Sequence, residues 1–134
     1  MPTLLQLAGA PMPGITYRDR AIVPPQGTSA LDYLQGKDTR IHAHDEALGW
    51  EINGSASLRK GPMKLLWDAT DGTPAWHLYD LSNDPGEHHD IAAAHPQQVS
   101  DLLRDWKAYA QRSNIAIDAD GRPASPAMPL ASKP

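Results

Sequence analysis

Residues 47–81 read ALGWEINGSASLRKGPMKLLWDATDGTPAWHLYDL, and the turn residues within this stretch decide the fold. Asn53-Gly54 joins ALGWEI to SASLRK, and two adjacent residues that tolerate positive φ form a strong hairpin signal. Gly61-Pro62 then separates SASLRK from MKLLWDA, and TDGT at 70–73 separates that run from PAWHLYDL. Connections this short make antiparallel neighbours, because a parallel pair needs a long crossover. The stretch therefore predicts a four-stranded meander with strands over 47–52, 55–60, 63–69 and 74–81. Alternation puts Leu48, Trp50 and Ile52 on one face of the first strand. In the fourth it sets Trp76 and Leu78 against His77 and Tyr79.

On the C-terminal side, PQQVSDLLRDWKAYAQRSN from Pro96 to Asn114 has Val99, Leu102, Leu103, Trp106, Tyr109 and Ala110 at helical spacing. Pro96 suits the first helical position. This long helix can cover one face of the meander, which leaves the other face in need of a cover of its own. On the N-terminal side, Leu4, Leu5 and Leu7 lie along a short helix that Gly9 can end, and Pro11, Pro13, Gly14, Pro24, Pro25 and Gly27 mark a wrapping loop. Thr28 or Ser29 can cap a second short helix through SALDYLQG. The expected class is α+β, with a four-stranded antiparallel sheet packed by a long C-terminal helix and preceded by a short N-terminal helix and irregular loop. Residues 1–117 form the expected subdomain, and the Pro/Ala-rich 118–134 segment reads as a disordered tail.

Bulk composition narrows the function classes. The chain has 134 residues, a formal charge of −4 and no cysteine. Acidic and basic residues are interspersed, so nucleic acid is not an expected partner. Without cysteine there is no disulfide, thiolate nucleophile or cysteine-bound metal. No run approaches the roughly 18 apolar residues of a membrane span, and the first residues lack the pattern of a signal peptide.

Several clusters invite a chemical reading. DPGEHHD at 84–90 holds Asp84, Glu87, His88, His89 and Asp90, residue types that bind zinc when cysteine is missing. Adjacent histidines point apart on a strand and diverge on a helix, however, and Asp84-Pro85-Gly86 is turn chemistry with glycine suited to the left-handed position. A structured turn is therefore the expected role, with Asp90 capping nearby backbone. His42 and His44 stand two apart beside Asp45 and Glu46, and a metal there needs a third ligand from elsewhere. Arg59, Lys60 and Lys64 can form an anion site or a solvated strand edge. No GxSxG elbow and no phosphate-cradling GxxxxGK[ST] loop occurs.

The segments PTLLQLAGAP, LGWEINGSASLRKGPMKLLWD and WHLYDLSNDPGEHHDIAAAHPQQVSDLL together resemble the C-terminal portion of a bacterial-type arylsulfatase, within the alkaline-phosphatase-like superfamily. The likeness covers most of residues 1–117, and LYDLSNDPGEHHDIA is its most specific element. It implies a four-stranded sheet packed by a helix and docked on a large α/β domain, the missing N-terminal sulfatase domain. It also implies sulfate-ester hydrolysis by a formylglycine made within CxPSR or SxPSR, assisted by calcium. This sequence has neither motif, SASLR at 55–59 lacks the proline, and no DD or DN pair is present.

No catalytic, cofactor-binding or metal residue is therefore assigned to any position. The expectation is an arylsulfatase fragment, inert alone, with some of Leu4, Leu5, Leu48 and Trp50 exposed. The alternative is a stand-alone interaction module that uses the same face to bind a partner or itself. A small metal protein built on His42, His44, His88 and His89 ranks last. For full-length members of the family a cytoplasmic or periplasmic location is implied.

Overall fold

The computed structural model describes residues 1–69 and 74–124, and the turn expected at 70–73 and the last ten residues of the tail lie outside them. The chain divides into two units, residues 1–43 and 44–134. In the first, helix α1 spans Pro2–Leu7 and helix α2 spans Leu31–Leu34. Pro2 occupies the first turn of α1, and Gly9, at φ 64°, follows its end as expected. The Thr3 hydroxyl accepts a hydrogen bond from Ala30 N at 3.0 Å, tying α1 to the start of α2. Ser29 Oγ accepts from Leu31 N at 3.2 Å, but the cap position of α2 falls on Ala30, one residue later than Thr28 or Ser29, and no side chain caps it.

The wrapping loop is more regular than its composition implied. Strands β1 (Thr16–Tyr17) and β2 (Arg20–Ala21) form a small antiparallel hairpin. Arg18 and Asp19 turn it at φ 49° and 60°. A turn with two positive φ values normally recruits Gly, Asn or Asp, and Arg18 at its first position carries no such signal.

The second unit holds the sheet, β3 (Leu48–Ile52), β4 (Ser55–Lys60), β5 (Met63–Trp67) and β6 (Trp76–Asp80), ordered β3-β4-β5-β6 with every neighbour antiparallel. Asn53 and Gly54 take φ 53° and 85°, the mirror-image turn a two-residue hairpin needs. Gly61 takes φ 58° ahead of Pro62, whose ring fixes a negative φ.

Helix α3 (Pro96–Arg112) crosses one face of the sheet. Its buried residues Leu102, Trp106 and Ala110 pack with Leu58, Leu65 and Leu78, each fully buried, and with Ala56 and Trp67. Lys60 Nζ bonds Asp105 Oδ2 at 2.7 Å along the edge of this layer. Trp76 lies between Trp67 and Trp106, with ring centroids 5.5 and 6.3 Å away in tilted arrangements that suit aromatic quadrupoles.

Residues 118–124 differ from the free tail expected of them. Ile117 bridges Pro123, Ala124 N bonds Ala116 O, and the buried Trp106 indole N–H donates to Gly121 O at 2.7 Å. Packing therefore continues past 117 to the end of the described residues. The physical reason is a tight turn: Asp118 Oδ1 accepts from Arg122 N at 2.8 Å, Gly121 sits at φ 83°, and Arg122 stacks over Trp67.

Gly49 is needed where β3 passes the helix. An added Cβ would lie 2.4 Å from Tyr109 Cδ1. Gly49→Ala is expected to destabilise the unit by about 1–3 kcal/mol through overpacking. In urea denaturation, most of that increment should disappear when Gly49→Ala is made in a Tyr109→Ala background.

Candidate docking face and its loop

The face of the sheet away from α3 follows from the strand register. One row across it is Leu48, Arg59, Lys64 and Tyr79, and the next is Trp50, Ser57, Leu66 and His77, with Ile52 and Ser55 completing the end. Leu48, Trp50 and Ile52 share this face as alternation required, while Trp76 and Leu78 point to the core. Trp50 is 53% exposed and Ile52 69%. With Ser55, Ser57 and Leu66 they line a shallow depression of about 120 Å³. Of the apolar residues expected at a surface, Leu4 is exposed at 63%, and Leu5 and Leu48 are half-buried.

The polar residues of the face are held by the loop that follows β6. Lys64 Nζ bonds both carboxylate oxygens of Glu87, at 2.6 and 2.8 Å. His77 Nδ1 lies 2.9 Å from Asp90 Oδ2, and the His77 and Tyr79 rings stack. Arg59 Nε donates to Gly61 O at 3.2 Å. Lys60 is on the opposite face with Asp105, so the three cations weighed as an anion site do not converge. Lys64 is already neutralised by Glu87.

DPGEHHD is architecture. Glu87 N bonds Asp84 O, closing the turn over Pro85-Gly86. The left-handed residue is Glu87, at φ 58°, and Gly86 is not at positive φ, which corrects the expected geometry. Gly86 serves a different purpose: a Cβ there would lie 2.5 Å from His88 Nε2, so glycine lets the imidazole fold over the turn. His89 stays exposed, 3.6 Å from Asp84 Oδ2, and the two imidazoles part company as adjacent side chains must.

Asp84 accepts from His88 N and His89 N, bonds that hold its carboxyl below the usual range. Asp80 is lowered by Ser82 and Asn83 in the same way. For Asp90, burial pushes the carboxyl up, but bonds from Leu78 N, Ala92 N and His77 outweigh it and the net shift is downward. His42 and His44 fall on either side of the boundary between the units.

Among the described residues no three His, Asp or Glu side chains are grouped to hold a metal ion. The sequence signal that was available but weak is Asp90: a carboxylate twelve residues after Leu78, across a Pro-Gly turn, can reach back to the strand edge. Arg112 carried none, yet it stacks on Tyr109 and donates to Ala47 O at 3.3 Å.

Comparison with known proteins gives a consistent outcome. No family model matches the chain. It is 34% identical over 122 residues to an uncharacterised sulfatase of Schizosaccharomyces pombe, spanning 90% of this chain and 22% of that protein. A putative sulfatase from Bacteroides fragilis matches its fold with a TM-score of 0.59 and 22% identity, over 90% of this chain and 25% of that one. A putative sulfatase from Bacteroides thetaiotaomicron gives 0.59 and 22%, over 93% and 28%. The chain thus spans about a fifth of the length of the curated relative it matches.

Proposed function

We propose, from the premise that this chain corresponds to the C-terminal portion of a sulfatase, that it supplies the sheet-and-helix subdomain that completes a larger sulfatase catalytic domain. The observation that carries the reading is the uncovered face of the sheet. Trp50, Ile52 and Leu66 form an apolar depression beside polar groups already tied to one another, a surface suited to being covered. Trp50 and Ile52 keep roughly half to two thirds of their surface exposed, so covering them contributes about 1–2 kcal/mol each toward a domain contact.

The formylglycine and calcium that the family resemblance implies do not fit the residues present. The sequence lacks CxPSR and SxPSR, and the carboxylates of the outer face are already engaged by Lys64, His77 and backbone N–H groups. The role of this chain is therefore structural support, and sulfate-ester chemistry belongs to the larger domain.

A segment exchange tests this. The matching fifth of the S. pombe sulfatase is replaced by this chain, and aryl sulfate hydrolysis is compared with that of the parent and of a parent lacking the segment. The exchange is expected to restore a cooperative unfolding transition and turnover comparable to the parent. The 134-residue chain alone is expected to give no turnover above buffer. Turnover by the chain alone, or an exchange that folds no better than the truncated parent, would overturn the reading.

A further inference from the structure

The two edges of the sheet are treated differently, and the register shows how. In a two-residue hairpin the residues flanking the turn form a hydrogen-bonded pair, and such pairs recur at alternate positions. Ile52, Trp50 and Leu48 therefore spend their N–H and C=O groups on β4, opposite Ser55, Ser57 and Arg59. The backbone groups of Gly49 and Glu51 then point away from the sheet.

The same alternation carried across β4 and β5 directs Leu78 of β6 outward, and there both groups are occupied. Leu78 N donates to Asp90 Oδ1 at 2.9 Å, and Leu78 O accepts from Ile91 N at 2.9 Å. The loop after β6 thus seals that edge. At the β3 edge, Arg112 reaches Ala47 O, but among the described residues no hydrogen bond engages the outward groups of Gly49 and Glu51. An open groove of about 470 Å³, lined in part by Glu51, Ile52 and Ile115, runs beside the end of the strand.

We infer that the β3 edge pairs with the β3 edge of a second copy of this chain, antiparallel about a two-fold axis through Trp50. The register is self-complementary. Gly49 of each copy meets Glu51 of the other as a hydrogen-bonded pair, so the outward groups satisfy one another. On the helix-covered side, the carboxylate of Glu51 faces a glycine and meets no like charge. On the outer side, Trp50 faces its own mate and Leu48 faces Ile52, which extends the exposed apolar row across both copies. Shifting the pairing by one residue sets outward-pointing groups against inward-pointing ones; shifting by two sets Glu51 against Glu51 in one direction and, in the other, sets Glu51 against Ala47, whose carbonyl Arg112 already holds. This inference rests on the sheet register and is independent of the sulfatase reading.

Light scattering and sedimentation equilibrium of the full 134-residue chain test it. The chain is expected to be a dimer at high micromolar concentration. Trp50→Lys and Trp50→Glu each place like charges against each other across the axis and are expected to be monomeric with unchanged circular dichroism. An equimolar mixture of the two is expected to restore a dimer, because residue 50 pairs only with residue 50. Glu51→Pro removes an outward N–H without removing a ladder bond and is also expected to be monomeric, which keeps the test independent of whether the Trp50 variants fold. A monomeric parent chain, a Glu51→Pro chain that remains dimeric, a mixture that stays monomeric, or assembly beyond a dimer would overturn the inference.

Discussion

Replacing Trp106 with alanine is expected to cost about 3–5 kcal/mol of folding stability, the range for deleting a large buried aromatic. Trp106 has no exposed surface, its ring stacks on Tyr109 at 5.8 Å and lies 6.3 Å from Trp76, and its indole N–H is bonded to Gly121 O. The loss therefore has two parts: a cavity between α3 and the sheet, and an unpaired carbonyl in the residues that fold back after the helix. Trp106→Phe separates them. It keeps most of the ring contacts and is expected to cost about 1–3 kcal/mol, the penalty for leaving a buried polar partner unsatisfied together with a small void. Urea unfolding followed by far-ultraviolet circular dichroism measures both variants. Equal losses would place all the energy in the hydrogen bond, and no loss in Trp106→Phe would place it all in packing.

The Trp106 bond also shows where the sequence was easy to interpret and where it was not. Asn53-Gly54 and Gly61-Pro62 fix hairpins by local backbone chemistry, and α3 follows from a strong 3.6-residue period, so sheet and helix are both visible without tertiary information. The fold-back at 118–124 is different. Its proline content suggests a free tail, whereas its order depends on a distant indole that has no other place to put its N–H. The left-handed residue of the loop after β6 is Glu87 and not Gly86, and Gly86 instead makes room for the His88 ring, a contact that propensity cannot see. The outer face was legible as a face, since alternation names Leu48, Trp50 and Ile52. Its polar frame was not, because pairing Lys64 with Glu87 and His77 with Asp90 requires knowing how the loop folds back along β6.

Asp90→Ala is expected to cost about 2–3 kcal/mol, because one carboxylate serves three donors and its removal strands at least one of them. Its Oδ1 accepts from Leu78 N and Ala92 N, and its Oδ2 from His77 Nδ1, each at 2.9 Å. Leu78 N is the costly one, since it belongs to a strand whose Leu78 side chain is fully buried. The carboxylate side chain is itself 38% exposed, so water replaces part of what His77 loses. Asp90→Asn keeps a neutral acceptor for the backbone and is expected to cost about 1 kcal/mol. The pH dependence follows from the depressed carboxyl. A group that is more acidic in the folded chain than in the unfolded one stabilises the fold above its unfolded value, about 3.9, and that contribution fades as pH falls through the lower folded value. Wild type and Asp90→Asn should therefore differ most near neutral pH and converge below about pH 4. Thermal melts across that window measure the convergence; a gap that stays constant on acidification would mean that Asp90 acts through its shape alone. Asp90→Ala should also unseal the β6 edge. With Leu78 N freed and Ile91 N alone left to hold Leu78 O, the variant is expected to aggregate on mild heating where Asp90→Asn does not, because an open edge is a template for further strands.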